Sequence, residues 1–137
     1  PSIGSLSDDI YSFQVELDGD IYQFPMTFDD LIAYGWEYDG DATQTMDPDQ
    51  YTVGESFKKG DITIYAEIIN LGANVEPFNK CSVAGFSIDD YLVGDLDISI
   101  ILPGGIQFGK STKKEIIAAY GEPTSTYDSD LYTTLTY

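Results

Sequence analysis

Two stretches of the chain combine residue types and spacings that could do chemistry. The first, "GGIQFGKST" at residues 104–112, satisfies G-x-x-x-x-G-K-[ST], the pattern of a loop whose backbone N–H groups surround a nucleotide phosphate. The second, "EYDGDATQTMDP" at residues 37–48, places Glu37, Asp39 and Asp41 at alternate positions, like the first three ligands of an EF-hand calcium loop. Each pattern makes a site only if the elements around it hold the loop in the required form.

The nucleotide interpretation does not fit the residues around this loop. A phosphate loop joins a parallel strand to a long helix, and an acidic residue elsewhere holds magnesium. Here Ile106 and Phe108 alternate with Gly105 and Gln107, which is typical of a short strand. The related stretch "GDIYQFPMT" at residues 19–27 has no Gly-Lys-Ser. We therefore expect no nucleotide site and interpret Lys110 as incidental.

The calcium pattern is also incomplete. An EF-hand needs a glycine at its sixth position and a bidentate glutamate at its twelfth, where this chain has Ala42 and Pro48. An irregular, weak calcium site remains a hypothesis, and the alternative is a solvated acidic loop. No other cofactor is expected. The carboxylates that would hold calcium are Asp39, Asp41, Asp47 and Asp49.

The composition removes the common catalytic groups. The chain has no histidine, the usual acid–base catalyst at neutral pH, and no arginine, the usual clamp for an oxyanion. The single cysteine, Cys81, would need a histidine to act as a nucleophile, so we expect a small buried apolar residue instead. Pairs of carboxylates could serve a glycosidase, but no spacing makes them converge. We therefore expect no enzymatic activity. The pairs are Asp29 with Asp30, Asp89 with Asp90, and Asp95 with Asp97.

Aromatic side chains give the best candidate for a binding surface. Tyr34, Trp36 and Tyr38 alternate around the end of a predicted helix, beside the longest acidic loop, and Trp36 is the only tryptophan. We predict that they form an exposed shelf for a carbohydrate or a peptide. The alternative is that the three rings fill the gap between the helix and a sheet.

The charge of the chain limits its partners. Twenty-four acidic residues against six lysines give a net charge of −18, which repels nucleic acid and anionic membranes. Basic proteins and divalent cations are favoured electrostatically. With 42% hydrophobic residues the chain can form a core, and it has no apolar run long enough for a transmembrane helix.

An internal repeat organises the chain. Residues 13–34 align with residues 98–119 at an offset of 85, and each copy runs from a strand through a glycine turn into a short helix that ends at Tyr-Gly. Thr112 and Glu115 predict a capping box, and Thr27 with Asp30 is a looser version. A hairpin follows each helix, at residues 51–69 and 124–137, and residues 81–88 form one more strand.

These elements predict an α+β fold in which two related strand–helix–hairpin repeats form a mostly antiparallel sheet, with two short helices packed on one face. We expect a linker at residues 1–9, a first repeat at 10–90 and a second at 91–137, together one compact domain. Fewer strands follow the second helix than this plan requires, which suggests a truncated second copy.

The second copy contains the motif that carries a family resemblance. It reads "GKSTKKEIIAAYGEP" at residues 109–123: a glycine, a Ser/Thr cap, a short helix and Gly-x-Pro. This unit resembles the repeat of beta-lactamase-inhibitor-like domains and of outer-membrane assembly lipoproteins of the SmpA/OmlA type. It is also similar to secreted proteins or lipoproteins of Gram-positive gut bacteria. The first copy departs from the motif, with Gly35-Trp36-Glu37 in place of Gly-x-Pro.

The resemblance implies an exported, non-enzymatic protein at the surface of a bacterium or outside it, which binds a protein or another envelope component. A membrane would be contacted only through an N-terminal lipid anchor that processing has removed. One alternative is an acidic inhibitor or mimic that occupies a basic cleft of a target protein. A third is a weak calcium-binding surface module.

Overall fold

The chain has 137 residues, and the computed structural model describes residues 5–89, 96 and 98–137. Within them, short strands pair in antiparallel fashion and two α-helices connect them, which confirms the predicted α+β class. Three single 3₁₀ turns, Ile10–Ser12, Phe78–Lys80 and Pro103–Gly105, complete the regular structure of the described residues. The carboxylates Asp90, Asp95 and Asp97 lie outside those residues.

The elements are numbered in chain order. The helices are α1 (Phe28–Ala33) and α2 (Lys113–Tyr120). The strands are β1 (Gln14–Leu17), β2 (Asp20–Gln23), β3 (Met26–Thr27), β4 (Glu37–Tyr38), β5 (Thr45–Met46), β6 (Glu55–Lys59), β7 (Ile62–Ile69), β8 (Glu76–Pro77), β9 (Ser82–Ser87), β10 (Ile100–Leu102), β11 (Ile106–Gln107), β12 (Ser125–Asp128) and β13 (Thr133–Thr136).

Two hairpins form a four-stranded sheet. The hairpins β1–β2 and β10–β11 pair through their first strands, so the strand order is β11-β10-β1-β2. Glu16 on β1 lies opposite Ile101 on β10, its counterpart in the aligned copy. The second hairpin has a turn one residue longer than the first, because Leu102 pairs with Ile106 whereas Leu17 pairs with Asp20.

A second, five-stranded sheet has the order β3-β9-β7-β6-β4. Its long strand β7 alternates buried and more exposed residues, as a strand with one apolar face should. The predicted hairpin at residues 51–69 is confirmed, although β6 begins only at Glu55 and Lys59 pairs with Ile62 across a two-residue turn. The strand predicted at residues 81–88 is β9. Two smaller sheets consist of β5 with β8 and of β12 with β13.

The hydrophobic core draws on both larger sheets and on α1. Its largest fully buried side chains include Trp36, Tyr22, Phe57 and Leu31. Burial of one such apolar side chain stabilises the fold by roughly 1.5–3 kcal/mol. Among the described residues, none after Ile106 is buried, so the core belongs almost wholly to the first three quarters of the chain.

The two helices begin as the sequence predicts but pack differently. Thr112 and Glu115 form the complete capping box of α2, and the hydroxyl of Thr27 accepts the backbone N–H of Asp30 at the start of α1. Helix α1 buries Phe28 and Leu31 against the core, whereas α2 has no buried residue. The prediction that both helices pack on one face of one sheet is wrong, because α1 contacts β3 and β9 of the five-stranded sheet whereas α2 contacts β11 of the four-stranded sheet.

The hairpin β12–β13 is equally exposed. Every residue of β12 is exposed, and Leu135 alone on β13 is half-buried. The alternation in "LYTTLTY" predicts one apolar and one solvated face, but no other sheet formed by the described residues covers either face. Tyr137 closes the unit by donating its hydroxyl to the carbonyl of Gly121 at 2.7 Å.

Candidate functional site

Trp36 does not lie on the surface. The side chain is 1% exposed, and its indole N–H donates a hydrogen bond of 3.0 Å to the hydroxyl of Tyr22 on β2. The prediction of an exposed aromatic shelf is therefore wrong. Gly35 takes a φ of 102°, a left-handed conformation that favours glycine. The chain leaves α1 there and enters β4, and Trp36 packs into the core.

The two tyrosines beside Trp36 serve the same internal packing. Tyr34 stacks on Tyr22 with a centroid distance of 4.3 Å and donates its hydroxyl to the carbonyl of Ile21 at 2.9 Å. Tyr38 lies 5.0 Å from Phe57. Its pKa is raised to about 12, first by burial and then by the negative charge of Glu55. The alternative interpretation, in which the three rings fill the gap between helix and sheet, describes this arrangement.

The structure does not bring the four candidate calcium ligands together. The carboxylate of Asp39 lies 3.6 Å from the ammonium of Lys58. Asp41 accepts hydrogen bonds from the hydroxyl and the backbone N–H of Thr43, at 2.5 and 2.9 Å, which lower the pKa of its carboxyl group. Asp47 and Asp49 follow β5. Across residues 5–89, 96 and 98–137, three or more acidic or thiol groups do not meet at any point that could hold a metal ion.

In the loop that resembles a phosphate site, backbone N–H groups donate hydrogen bonds to the protein's own carbonyl and hydroxyl groups. Phe108 donates its N–H to the carbonyl of Ile100, Lys110 donates to Gln107, and Ser111 also donates to Gln107. The N–H of Gln107 in turn binds the hydroxyl of Ser111 at 2.8 Å. A phosphate loop needs such amides free to point at an anion. Residues 106–107 of the loop form the short strand β11, as the alternation of residues 105–108 predicts, and it pairs antiparallel with β10.

The remaining candidate residues have structural roles. Asp29 and Asp30 occupy the first turn of α1, where the helix dipole favours negative charge. Cys81 is buried, as predicted, and its thiol donates to the carbonyl of Pro77 at 3.3 Å. Burial first, and Glu76 second, raise the pKa of that thiol, which disfavours the nucleophilic thiolate.

An apolar cleft between the two larger sheets is the candidate site that sequence reasoning missed. Its volume is about 390 Å³, within the usual range for ligand pockets. Phe24 and Phe86 contact each other in its lining, with ring centroids 5.5 Å apart, and Phe13, also in the lining, is 62% exposed. The lining residues are Phe13, Gln14, Val15, Phe24, Ala84, Gly85, Phe86, Ile88, Ile100, Leu102 and Phe108.

The lining of this cleft contains no ionisable side chain among the described residues. Its one polar side chain, Gln14, already accepts from the backbone N–H of Ser7 at 2.8 Å and donates to Gln23 at 3.3 Å. The cleft can therefore accept an apolar group but supplies no acid, base or nucleophile. Strand β9 forms one wall, and β3 pairs only with its residues Ser82 and Val83. The rest of that edge of β9 has no partner strand in the described part of the chain.

One sequence signal points to this cleft in retrospect. The strands β2 and β11 both end at glutamine, and a phenylalanine follows each: Gln23-Phe24 and Gln107-Phe108. The two phenylalanines occupy equivalent ends of two hairpins that lie in one sheet, which brings both to the cleft. The two dipeptides are shifted by one residue in the alignment at an offset of 85, and only the pairing of β1 with β10 reveals that both phenylalanines reach the cleft.

Comparison with family models, with curated proteins and with solved structures finds no match to this chain. In the described residues, neither helix has the length and apolar character needed to cross a membrane.

Proposed function

We propose that this chain is a non-catalytic binding module of a bacterial cell envelope or of a secreted protein, and that it binds a partner protein at the cleft between its two larger sheets. The observation that carries the proposal is an apolar cleft open at its rim, with phenylalanines on both walls and no ionisable side chain in its described lining. Such a lining favours burial of an apolar group and offers nothing for bond-breaking chemistry.

The open edge of β9 favours a partner that presents an extended segment. A strand that pairs with Gly85 and Phe86 would form main-chain hydrogen bonds and place alternate side chains over the cleft. An apolar side chain of the partner would fill the space beside Phe24. The net charge of −18 favours a basic partner and excludes nucleic acid on electrostatic grounds.

The compartment and the repeat belong to the same proposal. The motif of residues 109–123 supports an exported protein at the surface of a bacterium or outside it. Both copies contain a hairpin, then a capped helix, then a tyrosine at the end of that helix, and this shared order supports the repeat. Tyr34 donates its hydroxyl to Ile21 in the first hairpin, and Tyr120 donates to Pro103 in the second, at 2.5 Å.

Site-specific photocrosslinking tests the proposed binding surface. A photoreactive phenylalanine analogue replaces Phe13 at the rim of the cleft, and a control protein carries it at Val53, which is 70% exposed elsewhere. Both proteins are incubated with the envelope fraction of the source organism. We expect one discrete adduct from position 13 and none from position 53. Equal labelling from both positions, or no adduct from either, would contradict the proposal.

The second candidate is an acidic inhibitor or mimic that occupies a basic cleft of its target. Two lysine–carboxylate pairs form among the described residues, Lys58 with Asp39 and Lys59 with Asp20, so most of the acidic side chains that the structure describes form no ion pair. Salt distinguishes the two functions. Binding through acidic groups weakens strongly in 1 M salt, where the Debye length falls to about 3 Å, whereas insertion into an apolar cleft persists.

A further inference from the structure

We propose that two copies of this chain associate through β13, forming a four-stranded antiparallel sheet with the order β12-β13-β13-β12 across a two-fold axis. This inference is independent of the proposed binding cleft, whose lining contains no residue of β12 or β13. It rests on the pairing of the C-terminal hairpin, its exposure and the distribution of charge.

The hairpin β12–β13 has two open edges in the described structure. The pair forms its own two-stranded sheet, with Ser125 opposite Thr136 and Asp128 opposite Thr133. Its strands are exposed apart from the half-buried Leu135. An isolated two-stranded hairpin is marginally stable in water, and an open edge is a ready template for another strand.

The hydrogen-bond pattern shows which groups β13 presents to a partner. The N–H of Ser129 donates to the carbonyl of Tyr132 across the turn. Paired residues of antiparallel strands alternate between hydrogen-bonded and non-hydrogen-bonded positions, so Thr133 and Leu135 direct their N–H and C=O groups away from β12. The sequence of β13, "TTLT", contains no charge and favours a strand. The open edge of β12 instead ends at Asp128, whose charge opposes pairing.

The distribution of charge favours a second copy of the chain as the partner of β13. Residues 109–137 carry three lysines and four acidic residues, a net charge of −1, so residues 1–108 carry −17 of the total −18. Two copies therefore repel each other least when they meet through the C-terminal unit, because the rest of each chain carries almost all of the negative charge. Lys110, Lys113 and Lys114 lie in this unit and form no ion pair within the described chain.

The four-stranded sheet already contains two hairpins that are joined through one strand each, as proposed for the dimer. The hairpins β1–β2 and β10–β11 join through one strand each to give the order β11-β10-β1-β2. A two-fold contact between identical β13 strands repeats this geometry between molecules, and it is closed, so it produces a dimer and no fibre.

Sedimentation equilibrium of the whole chain over a concentration series tests the inference. We expect a monomer–dimer equilibrium. Thr133→Pro removes the outward N–H of an edge residue together with the hydroxyl that donates to Asp128 at 2.8 Å, a bond that Thr133→Val also loses, and it should raise the dimer Kd by at least about tenfold. Thr133→Val keeps the N–H and is the matched control, with a Kd close to that of the original chain.

A charge variant gives an independent measurement. Replacing Lys113 and Lys114 by glutamate changes the charge of residues 109–137 from −1 to −5, keeps the helix start favourable, and should weaken dimerisation at low salt but not at high salt. In hydrogen exchange, the amides of Thr133 and Leu135 should gain protection as concentration rises. A chain that stays monomeric throughout the series, or a Thr133→Pro variant that dimerises like Thr133→Val, overturns the proposal.

Discussion

The indole N–H of Trp36 donates a 3.0 Å hydrogen bond to the hydroxyl of Tyr22, and both side chains are buried. Trp36 directly precedes β4 of the five-stranded sheet, and Tyr22 lies on β2 of the four-stranded sheet. This single contact therefore ties the two larger sheets together at the centre of the core.

Removal of either partner should destabilise the fold. Tyr22→Phe leaves the buried indole N–H without its acceptor, which costs about 1–3 kcal/mol of unfolding free energy. Trp36→Phe also loses buried volume and should cost more, about 3 kcal/mol. Urea denaturation measures both. The double variant should cost less than the sum of the two, because the hydrogen bond is lost only once. Strict additivity would show that the bond contributes little.

Alkaline pH should unfold the protein through Tyr22. Burial raises the pKa of Tyr22 to about 12 from 10.0, although the hydrogen bond from Trp36 opposes the rise. The unfolded chain therefore loses its tyrosine proton at lower pH than the folded chain. The contribution of Tyr22 to stability is constant below pH 10 and falls between pH 10 and 12, by an amount of order 2 kcal/mol. Denaturant titrations at successive pH values measure the fall. Tyr22→Phe should reduce its slope.

Asn70 should be needed for stability although it contributes to no candidate site. It is 2% exposed, donates to the carbonyls of Met46 and Asn74 at 3.0 and 2.8 Å, and accepts from the N–H of Gly72 at 2.9 Å. Asn70→Ala leaves three backbone groups without this partner and should lower the unfolding free energy by roughly 2–4 kcal/mol. Asn74→Ala, which keeps its backbone carbonyl, is the control and should cost far less. Similar losses in both variants would contradict this role.

The two helix caps should differ in their effect on global stability. Removal of a threonine cap costs about 1 kcal/mol of helix stability. Thr27→Ala should lower the global unfolding free energy by this amount, because α1 buries Phe28 and Leu31. Thr112→Ala should instead increase hydrogen exchange within α2 and barely change global unfolding, since α2 buries no residue. Equal global losses would show that α2 is coupled to the core.

Calcium should bind no better than magnesium. Asp39 pairs with Lys58, Asp41 is bonded to Thr43, and the described carboxylates do not converge on one point. We expect both ions to raise the melting temperature equally, through screening of the acidic surface. Isothermal titration with each ion is the direct measurement. A saturable heat with calcium alone would instead support the site at Asp39, Asp41, Asp47 and Asp49.

Much of the local structure could be predicted because its causes are local. Thr112 and Glu115 lie three residues apart, and their capping box depends on nothing else in the chain. The same holds for the strand of residues 62–69, whose alternating pattern fixes which side chains face the core. Cys81 was identified as a buried apolar residue because its surroundings are apolar and no histidine exists to activate it.

The candidate site could not be predicted because it depends on residues far apart in the chain. Tryptophan is a residue type that is common in binding surfaces. Whether Trp36 is exposed, however, depends on where β2 places Tyr22, fourteen residues earlier. The cleft needs Phe24, Phe86 and Phe108 on two different sheets, and no spacing in one chain specifies that they meet. The four candidate calcium ligands show the opposite case. They are close in sequence, but in the described structure they form no group that could hold a metal ion.

By itself, therefore, the sequence determined the strand and hairpin pattern, the helix starts and a surface of one dominant charge, because these follow from neighbouring side chains and from composition. Only the tertiary structure decided that the second helix and hairpin stay outside the core. Residues 13–34 and 98–119 both carry helix and strand signals, but packing depends on whether a buried partner surface exists. For α1 the five-stranded sheet supplies it, whereas α2 contacts β11 and the carbonyl of Pro103 at the edge of the four-stranded sheet and buries no residue there.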